Sequence, residues 1–180
     1  MQRLIDALLN RVVAGLIYRY EQSKARWLSA KYGCAIKFVN QGSGGLEIAG
    51  NGDFEIHQTS HLKSGTFIEC SGGVYIGKYF HAGKGLTIFS SNHNWRTDKS
   101  IPYDDESIHR SVRIGDAVWA GANVTIMPGV TVGNGAVIGG GCVLRDDVPP
   151  GAVVIGNPGK IVNYRDMDLF HRLYNESKFF

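Results

Sequence analysis

Cysteine is scarce in this chain, net charge is small, and no hydrophobic run is long and clean. The three cysteines, Cys34, Cys70 and Cys142, show neither metal-ligand nor redox spacing. An odd, sparse count of this kind excludes a disulfide-stapled secreted scaffold and suits a reducing cytoplasm. Lys and Arg number 19 against 16 Asp and Glu, a net charge of +3. That balance is too mild to imply a nucleic-acid partner. The apolar N-terminal stretch is broken by Asp6, Asn10 and Arg11, so it reads neither as a membrane span nor as a secretory signal peptide. With 180 residues, 43% of them hydrophobic, the chain is long enough to bury the core of one domain.

What is present in place of long runs is a beat. Between residues 108 and 148 an inward-type aliphatic recurs every sixth position, at Ile114, Ala120, Ile126, Val132, Ile138 and Leu144. Four residues after each beat comes a second, smaller apolar residue: Val118, Val124, Val130, Ala136, Cys142 and Val148. Turn formers fall in phase between them, as in Gly121-Ala122-Asn123, Gly133-Asn134-Gly135 and Gly139-Gly140-Gly141. A period of six fits neither a helix nor a long strand. It fits a chain that makes a short flat, bends and repeats, with Gly and Asn supplying the bends and β-branched residues the flats. Three flats make a coil of about eighteen residues, and coils stack at the parallel-strand spacing of about 4.8 Å. Such hexapeptide repeats signal a parallel β-helix.

Taken in order, residues 1–32 read as a helix with a broad apolar face (Ile5, Leu8, Leu9, Val12, Val13, Leu16, Ile17, Tyr20) and interspersed cations (Arg3, Arg11, Arg19, Lys24, Arg26). The simplest role for it is to cover the open edge of the first coil; the sharper one is peripheral contact with a membrane surface. The six-residue beat begins faintly at Leu46 and runs through Ile56, Leu62 and Ile68. It slips by two residues near Ser71-Gly72-Gly73 and resumes at Ile76, Ala82 and Ile88. The β-helix is expected over 33–162, and residues 163–180 are expected to form a short helix that caps or buttresses the last coil.

One segment breaks the beat. Residues 91–107, SNHNWRTDKSIPYDDES, carry aromatic rings, charges and His93. A repeat that interrupts itself with such a loop usually does so for function, which makes His93, Asn92, Trp95 and Tyr103 candidate site residues.

Residues 112–162 resemble the hexapeptide-repeat acyltransferases, the surface-polysaccharide, maltose and galactoside O-acetyltransferases and their xenobiotic-acetyltransferase relatives. The resemblance covers about 56–162 and rests on His93 at the loop entrance, VWAGAN (118–123) and GNPGK (156–160). It implies a left-handed parallel β-helix, a homotrimer with sites between subunits, acetyl-CoA as co-substrate without a metal, and a carbohydrate acceptor. His93 would be the general base, since an alcohol attacks a thioester well only when a positioned group takes its proton and imidazole titrates near neutral pH. Backbone N–H groups of Gly121 and Ala122 would receive the developing oxyanion. Trp119, Asn123 and Gly140 would line the coenzyme's arm, with Asn123 equally suited to serving the turn. Arg145 and Lys160 would meet its phosphates.

The pattern also departs from the family. The acid that orients the histidine would fall at Ser107, so Glu106, one residue away, is the candidate, with Asp104 and Asp105 in reserve. Arg145-Asp146 stands where the sugar branch usually has Thr-Lys, and the acceptor-side Asn is not evident near Leu62-Lys63-Ser64, which argues against maltose or galactoside. The expectation is O-acetylation of a sugar hydroxyl in bacterial surface-polysaccharide synthesis, in the cytoplasm, or at the inner membrane face if the basic helix meets lipid. An antibiotic or amino-sugar acceptor is the alternative, because Asn92-His93-Asn94-Trp95 is similar to the xenobiotic branch's loop; a non-catalytic scaffold would leave that loop unexplained. A three-histidine zinc site is disfavoured, because His57, His61, His81, His93 and His109 lack the close pair it needs.

Overall fold

The computed structural model describes residues 2–179; Met1 and Phe180 lie outside the described residues. Parallel strands of two to four residues wind into a solenoid of about six turns. Its flanks are three ladders. The first contains Lys37–Val39, His61–Lys63, His81–Ala82, Trp119–Ala120, Val137–Ile138 and Ala152–Ile155. A second stacks Glu47–Ala49, Phe67–Glu69, Thr87–Phe89, Thr125–Ile126 and Val143–Leu144, and the third Phe54–Ile56, Val74–Ile76, Val112–Ile114 and Thr131–Val132.

Register turns the six-residue beat into vertical columns. Ile48, Ile68, Ile88, Ile126 and Leu144 stand above one another on the second ladder, each buried. Ile56, Ile76, Ile114 and Val132 do the same on the third. Trp119 pairs with Val137 and Arg113 with Thr131, eighteen positions apart. Earlier, Phe67 pairs with Thr87 and Phe54 with Val74, twenty apart. The two extra residues sit at the Ser71–Gly73 slip. They widen that corner and leave the inward face unchanged, because Ile68 and Ile76 are both buried.

Helix α1, Gln2–Tyr32, only partly meets its simplest expected role. Its last third covers the first coil: Glu21, Ala25 and Leu28 are buried, and Glu21 Oε2 accepts from the Leu46 N–H at 3.2 Å. Gln22 donates to the Phe38 carbonyl, and Ser29 Oγ receives the Ile36 N–H at 3.0 Å. These side chains satisfy backbone groups on the open edge that would otherwise template another strand. Residues 2–20 cover nothing in their own chain, and every one of them is exposed.

The other end is closed differently from the sequence expectation. Strand Lys160–Tyr164 pairs antiparallel with Ala152–Ile155 and finishes the first ladder. Helix α2, Met167–Asn175, is capped by Asp166, whose side chain accepts from the Leu169 N–H. It buttresses a side of the solenoid, with Met167 against Gly151 of the last coil and Phe170 against Gly135 of the coil before it. Tyr174 donates to Asp116 Oδ2 at 2.6 Å, Arg165 Nε donates to the Gly135 carbonyl at 2.7 Å, and Tyr79 stacks on Phe179 at 3.6 Å. The carboxylate of Asp116 holds the Tyr174 phenol up at about 12.

The contrast within α1 is measurable. Deleting residues 1–19 should leave thermal unfolding unchanged, whereas deleting 1–30 should cause aggregation, read by light scattering, because it strips Glu21, Ala25 and Leu28 from the edge.

Candidate functional site

A three-sided solenoid has three long edges, and each carries a different device. Along the edge between the third and first ladders lies α2. The edge between the first and second is built of bare corners, and the edge between the second and third throws out the interrupting loop.

That loop is a hairpin. Ser91–His93 pairs antiparallel with Ser107–His109, placing Ser107 opposite His93 and Ser91 opposite His109. Its base is tied to the solenoid by Glu69. The Glu69 carboxylate accepts from the Ser71 N–H at 2.8 Å, Ser91 Oγ at 2.9 Å and the Ser90 N–H at 3.2 Å. Burial works to raise its pKa, but these hydrogen bonds outweigh burial and hold it below the usual carboxylate range. The tip is organised by Asp104, the buried acid of the loop. It accepts from the Asn94 amide at 3.0 Å and the Glu106 N–H at 3.0 Å, with Lys99 Nζ at 3.9 Å. Hydrogen bonding, foremost from Thr97, holds its carboxyl below the ordinary value.

His93 is exposed, and its ring lies flat on Tyr103, centroids 3.8 Å apart and planes 10° apart. Among the described residues, no hydrogen bond reaches either ring nitrogen. This corrects the expectation for Glu106. Residues paired across an antiparallel ladder share a face, so His93 shares its face with Ser107, and Glu106 projects with Asn94, whose amide lies 3.5 Å from Glu106 Oε2. What steadies the imidazole within this chain is Tyr103.

Beside His93 is a cleft of about 470 Å³ lined by Asn92, Trp95, Arg96, Ile108, Arg110, Met127, Pro128 and Arg145. Three guanidinium groups and no carboxylate line it. The Trp95 indole is engaged by Arg96, whose guanidinium carbon is 4.7 Å from the ring centroid. Asn92 turns its side chain back to its neighbour, accepting the His93 N–H at 2.9 Å.

The residues expected to hold the coenzyme do not gather there, apart from Arg145. Gly121, Ala122, Asn123 and Gly140 lie on the edge between the first and second ladders, with Trp119 on the adjoining flank. A Cβ on Gly121 would come within 2.6 Å of the Gly140 N atom, so only glycine allows these corners to stack. Asn123 serves its turn: its φ is +56° and its N–H donates to the Lys84 carbonyl at 2.7 Å. The N–H of Gly121 is spent on the Ile138 carbonyl at 2.7 Å, which removes it as an oxyanion donor. Ala122 is exposed, and its N–H makes no hydrogen bond among the described residues. Trp119 is 55% exposed, outward from Ala120 and in register with His81. Lys160 is exposed on the terminal antiparallel strand.

On the same outward column the His81 ring lies against His61, centroids 4.5 Å apart and planes tilted by 58°. Burial, then the neighbouring His81 and lysines, pushes His61 down to about 4. Among the described residues, no three His, Cys, Asp or Glu groups are placed to hold a metal ion.

Comparison with known proteins agrees with this architecture. Residues 111–146 match the bacterial transferase hexapeptide family (six repeats). Over those residues the chain carries that family's repeat. It is 38% identical over 84 residues to WbbJ of Escherichia coli (strain K12), whose name assigns it provisionally to O-acetyl transfer in lipopolysaccharide biosynthesis; the match covers 42% of this chain and 43% of WbbJ. It is 50% identical over 62 residues to YvoF of Bacillus subtilis (strain 168), provisionally named an acetyltransferase, covering 34% and 36%. The chain thus spans less than half the length of these curated relatives. Among solved structures, a hexapeptide-repeat acetyltransferase of Vibrio cholerae complexed with acetyl-CoA superposes with a TM-score of 0.66 at 22% identity, covering 79% of this chain and 77% of that one. Galactoside acetyltransferase in complex with coenzyme A gives 0.60 at 20% identity, covering 78% and 70%.

The role of Asp104 can be checked through its titration. A depressed folded pKa means that the charged carboxylate stabilises the hairpin above its ordinary pKa of 3.8; the benefit is lost as pH falls through the lower folded value. At neutral pH, Asp104→Ala should speed amide exchange at Glu106 by roughly tenfold or more, because that N–H loses a charged acceptor.

Proposed function

We propose that this chain is an acetyl-CoA-dependent O-acetyltransferase acting on a sugar hydroxyl in bacterial surface-polysaccharide assembly, with His93 as general base. The observation that carries the reading is an exposed imidazole, steadied by Tyr103, at the mouth of a cleft lined by Arg96, Arg110 and Arg145. Guanidinium groups match phosphate oxygens in geometry and charge, which suits a donor that carries a nucleotide and a diphosphate. His93 takes the hydroxyl proton as the acceptor oxygen attacks the thioester carbon. The tetrahedral oxyanion then collapses, the C–S bond breaks, and the imidazolium returns the proton to the leaving thiolate. The donor for the oxyanion is the Ala122 N–H, the one of the two expected groups that the ladder leaves uncommitted.

Ala122 and His93 lie on different edges of one solenoid, so the proposal needs two copies. An edge offering His93 to one neighbour and an edge offering Trp119 and Ala122 to another is a heterologous contact, which closes into a ring when its rotation is a whole fraction of a turn. A trimer fits a three-sided prism whose remaining edge is occupied by α2, and it would cover the exposed Trp119 indole. Acetyl-CoA as donor places the reaction in the cytoplasm. The 38% identity to WbbJ supports a glycan acceptor. An amino-sugar acceptor is the second reading, supported by a fold shared with AntD, an N-acyltransferase from Bacillus cereus, at a TM-score of 0.63 and 14% identity.

Released coenzyme thiol, measured across a panel of free, nucleotide-linked and lipid-linked sugars and amino sugars, identifies the acceptor. On the acceptor found, His93→Ala should lower turnover by about a hundred- to ten-thousand-fold with little change in acetyl-CoA affinity. Turnover near that of the wild type would remove His93 from the mechanism.

Light scattering should give the mass of three 19.7 kDa chains. A fully active monomer would overturn the shared site.

A further inference from the structure

The N-terminal two thirds of α1 present an apolar surface that the solenoid does not use. Ile5, Leu9, Val12 and Leu16 are 46%, 56%, 52% and 61% exposed. Their spacing of four, three and four places them on one stripe of the helix, and Tyr20 and Trp27 continue it at 63% and 62% exposure. Glu21, Ala25 and Leu28, which grip the first coil, form another stripe. At about 100° per residue the two stripes lie about 150° apart around the axis. The helix therefore docks by one side and turns this stripe away from the body, while Leu4, Leu8, Val13 and Ile17, also exposed, widen the apolar face around the axis.

We propose that this stripe lies flat on an anionic bilayer surface and holds the solenoid against it. Charge is the first argument. Residues 2–20 carry Arg3, Arg11 and Arg19 against the single acid Asp6, which is engaged by Gln2 at 3.0 Å. A basic helix with a broad exposed apolar face is suited to binding in the headgroup plane. Aromatic placement is the second, because Tyr20 and Trp27 stand where amphipathic rings favour the membrane–water boundary. The third is Arg19, which falls inside the stripe, three residues beyond Leu16. A seam between copies of the helix would bury that guanidinium without a partner, whereas at a lipid surface the side chain reaches up to the headgroups. No helix among the described residues is long and apolar enough to cross a membrane, so the helix lies on the surface and does not span it. This inference stands on the helix alone and does not depend on the transferase reading.

The test is co-sedimentation of the full chain with vesicles of phosphatidylglycerol and phosphatidylcholine, against phosphatidylcholine alone. Binding should be about tenfold or more stronger to the anionic vesicles and should weaken with salt. The double substitution Val12→Glu and Leu16→Glu should lower binding at least about tenfold. Circular dichroism and thermal unfolding should not move, since neither side chain is buried. Replacing Arg3, Arg11 and Arg19 by Gln should remove most of the salt dependence. An intact chain that stays in the supernatant with anionic vesicles overturns the proposal, as does a doubly substituted chain that binds like the wild type. A third overturning result is a stripe variant whose oligomeric mass falls in light scattering while the wild type ignores vesicles; the stripe would then join copies of the chain. Vesicle binding without acetyl transfer to any sugar would refute the transferase reading and leave this one standing.

Discussion

One coil of this chain cannot fold alone, and the rest of the structure follows from that. A flat of two or three residues buries only one or two apolar side chains, and only the coil above and below can seal them. Each buried Ile or Leu is worth about 1.5–3 kcal/mol against exposure, but only when register stacks it on its counterpart, as Ile88 stacks on Ile68 and under Ile126. Slippage by one residue would turn the whole column outward. The fold therefore tolerates insertions at corners and almost nowhere else. Between Val74 and its partner Val112 the chain spends twenty more residues than an eighteen-residue coil needs, all of them in the hairpin and its base, and both flanking columns remain unbroken.

That rule explains what could be read in advance. The beat, the slip near Gly72 and the interrupted coil are properties of spacing, and spacing is visible in a single sequence. The inward residues from Ile56 to Leu144 were identifiable because a solenoid makes burial periodic. Within the hairpin the same reasoning ran out. Glu106 and Asp104 are two residues apart and chemically alike, yet Asp104 is buried under Asn94 and Lys99 while Glu106 turns away from His93. Antiparallel register decides this, and no periodicity extends into a loop. Glu69 was obscure for a related reason: its partners Ser90 and Ser91 are a full coil away.

The edges were harder still. A motif such as VWAGAN compresses three roles into six residues. Trp119 points outward from a flat, Gly121 gives its N–H to Ile138, and Asn123 adopts the left-handed turn. Sequence groups them, whereas the winding separates Trp119 and Ala122 from His93 by placing them on different edges. Arg145 follows the same logic in reverse. It is grouped with Gly140 by sequence, and one corner further along the coil it stands beside His93.

A ladder costs little to decorate on its outward side, which is why unusual exposures carry information here. Outward positions contribute almost nothing to the columns, so a solenoid with no partners has no reason to place an indole at Trp119 or a row of aliphatics along residues 2–20. Both surfaces are apolar, yet they differ in what can cover them. Trp119 stands on a rigid flank in register with His81 and Val137, a surface shaped to meet another rigid body. The α1 stripe stands on a helix whose anchored stretch begins only at Glu21, wide enough to include Arg19 among its aliphatics. A protein seam would have to bury that cation; a lipid surface would not. The two exposures thus call for different neighbours, and together they would set each solenoid's active edges in the assembly and its first coil toward the bilayer.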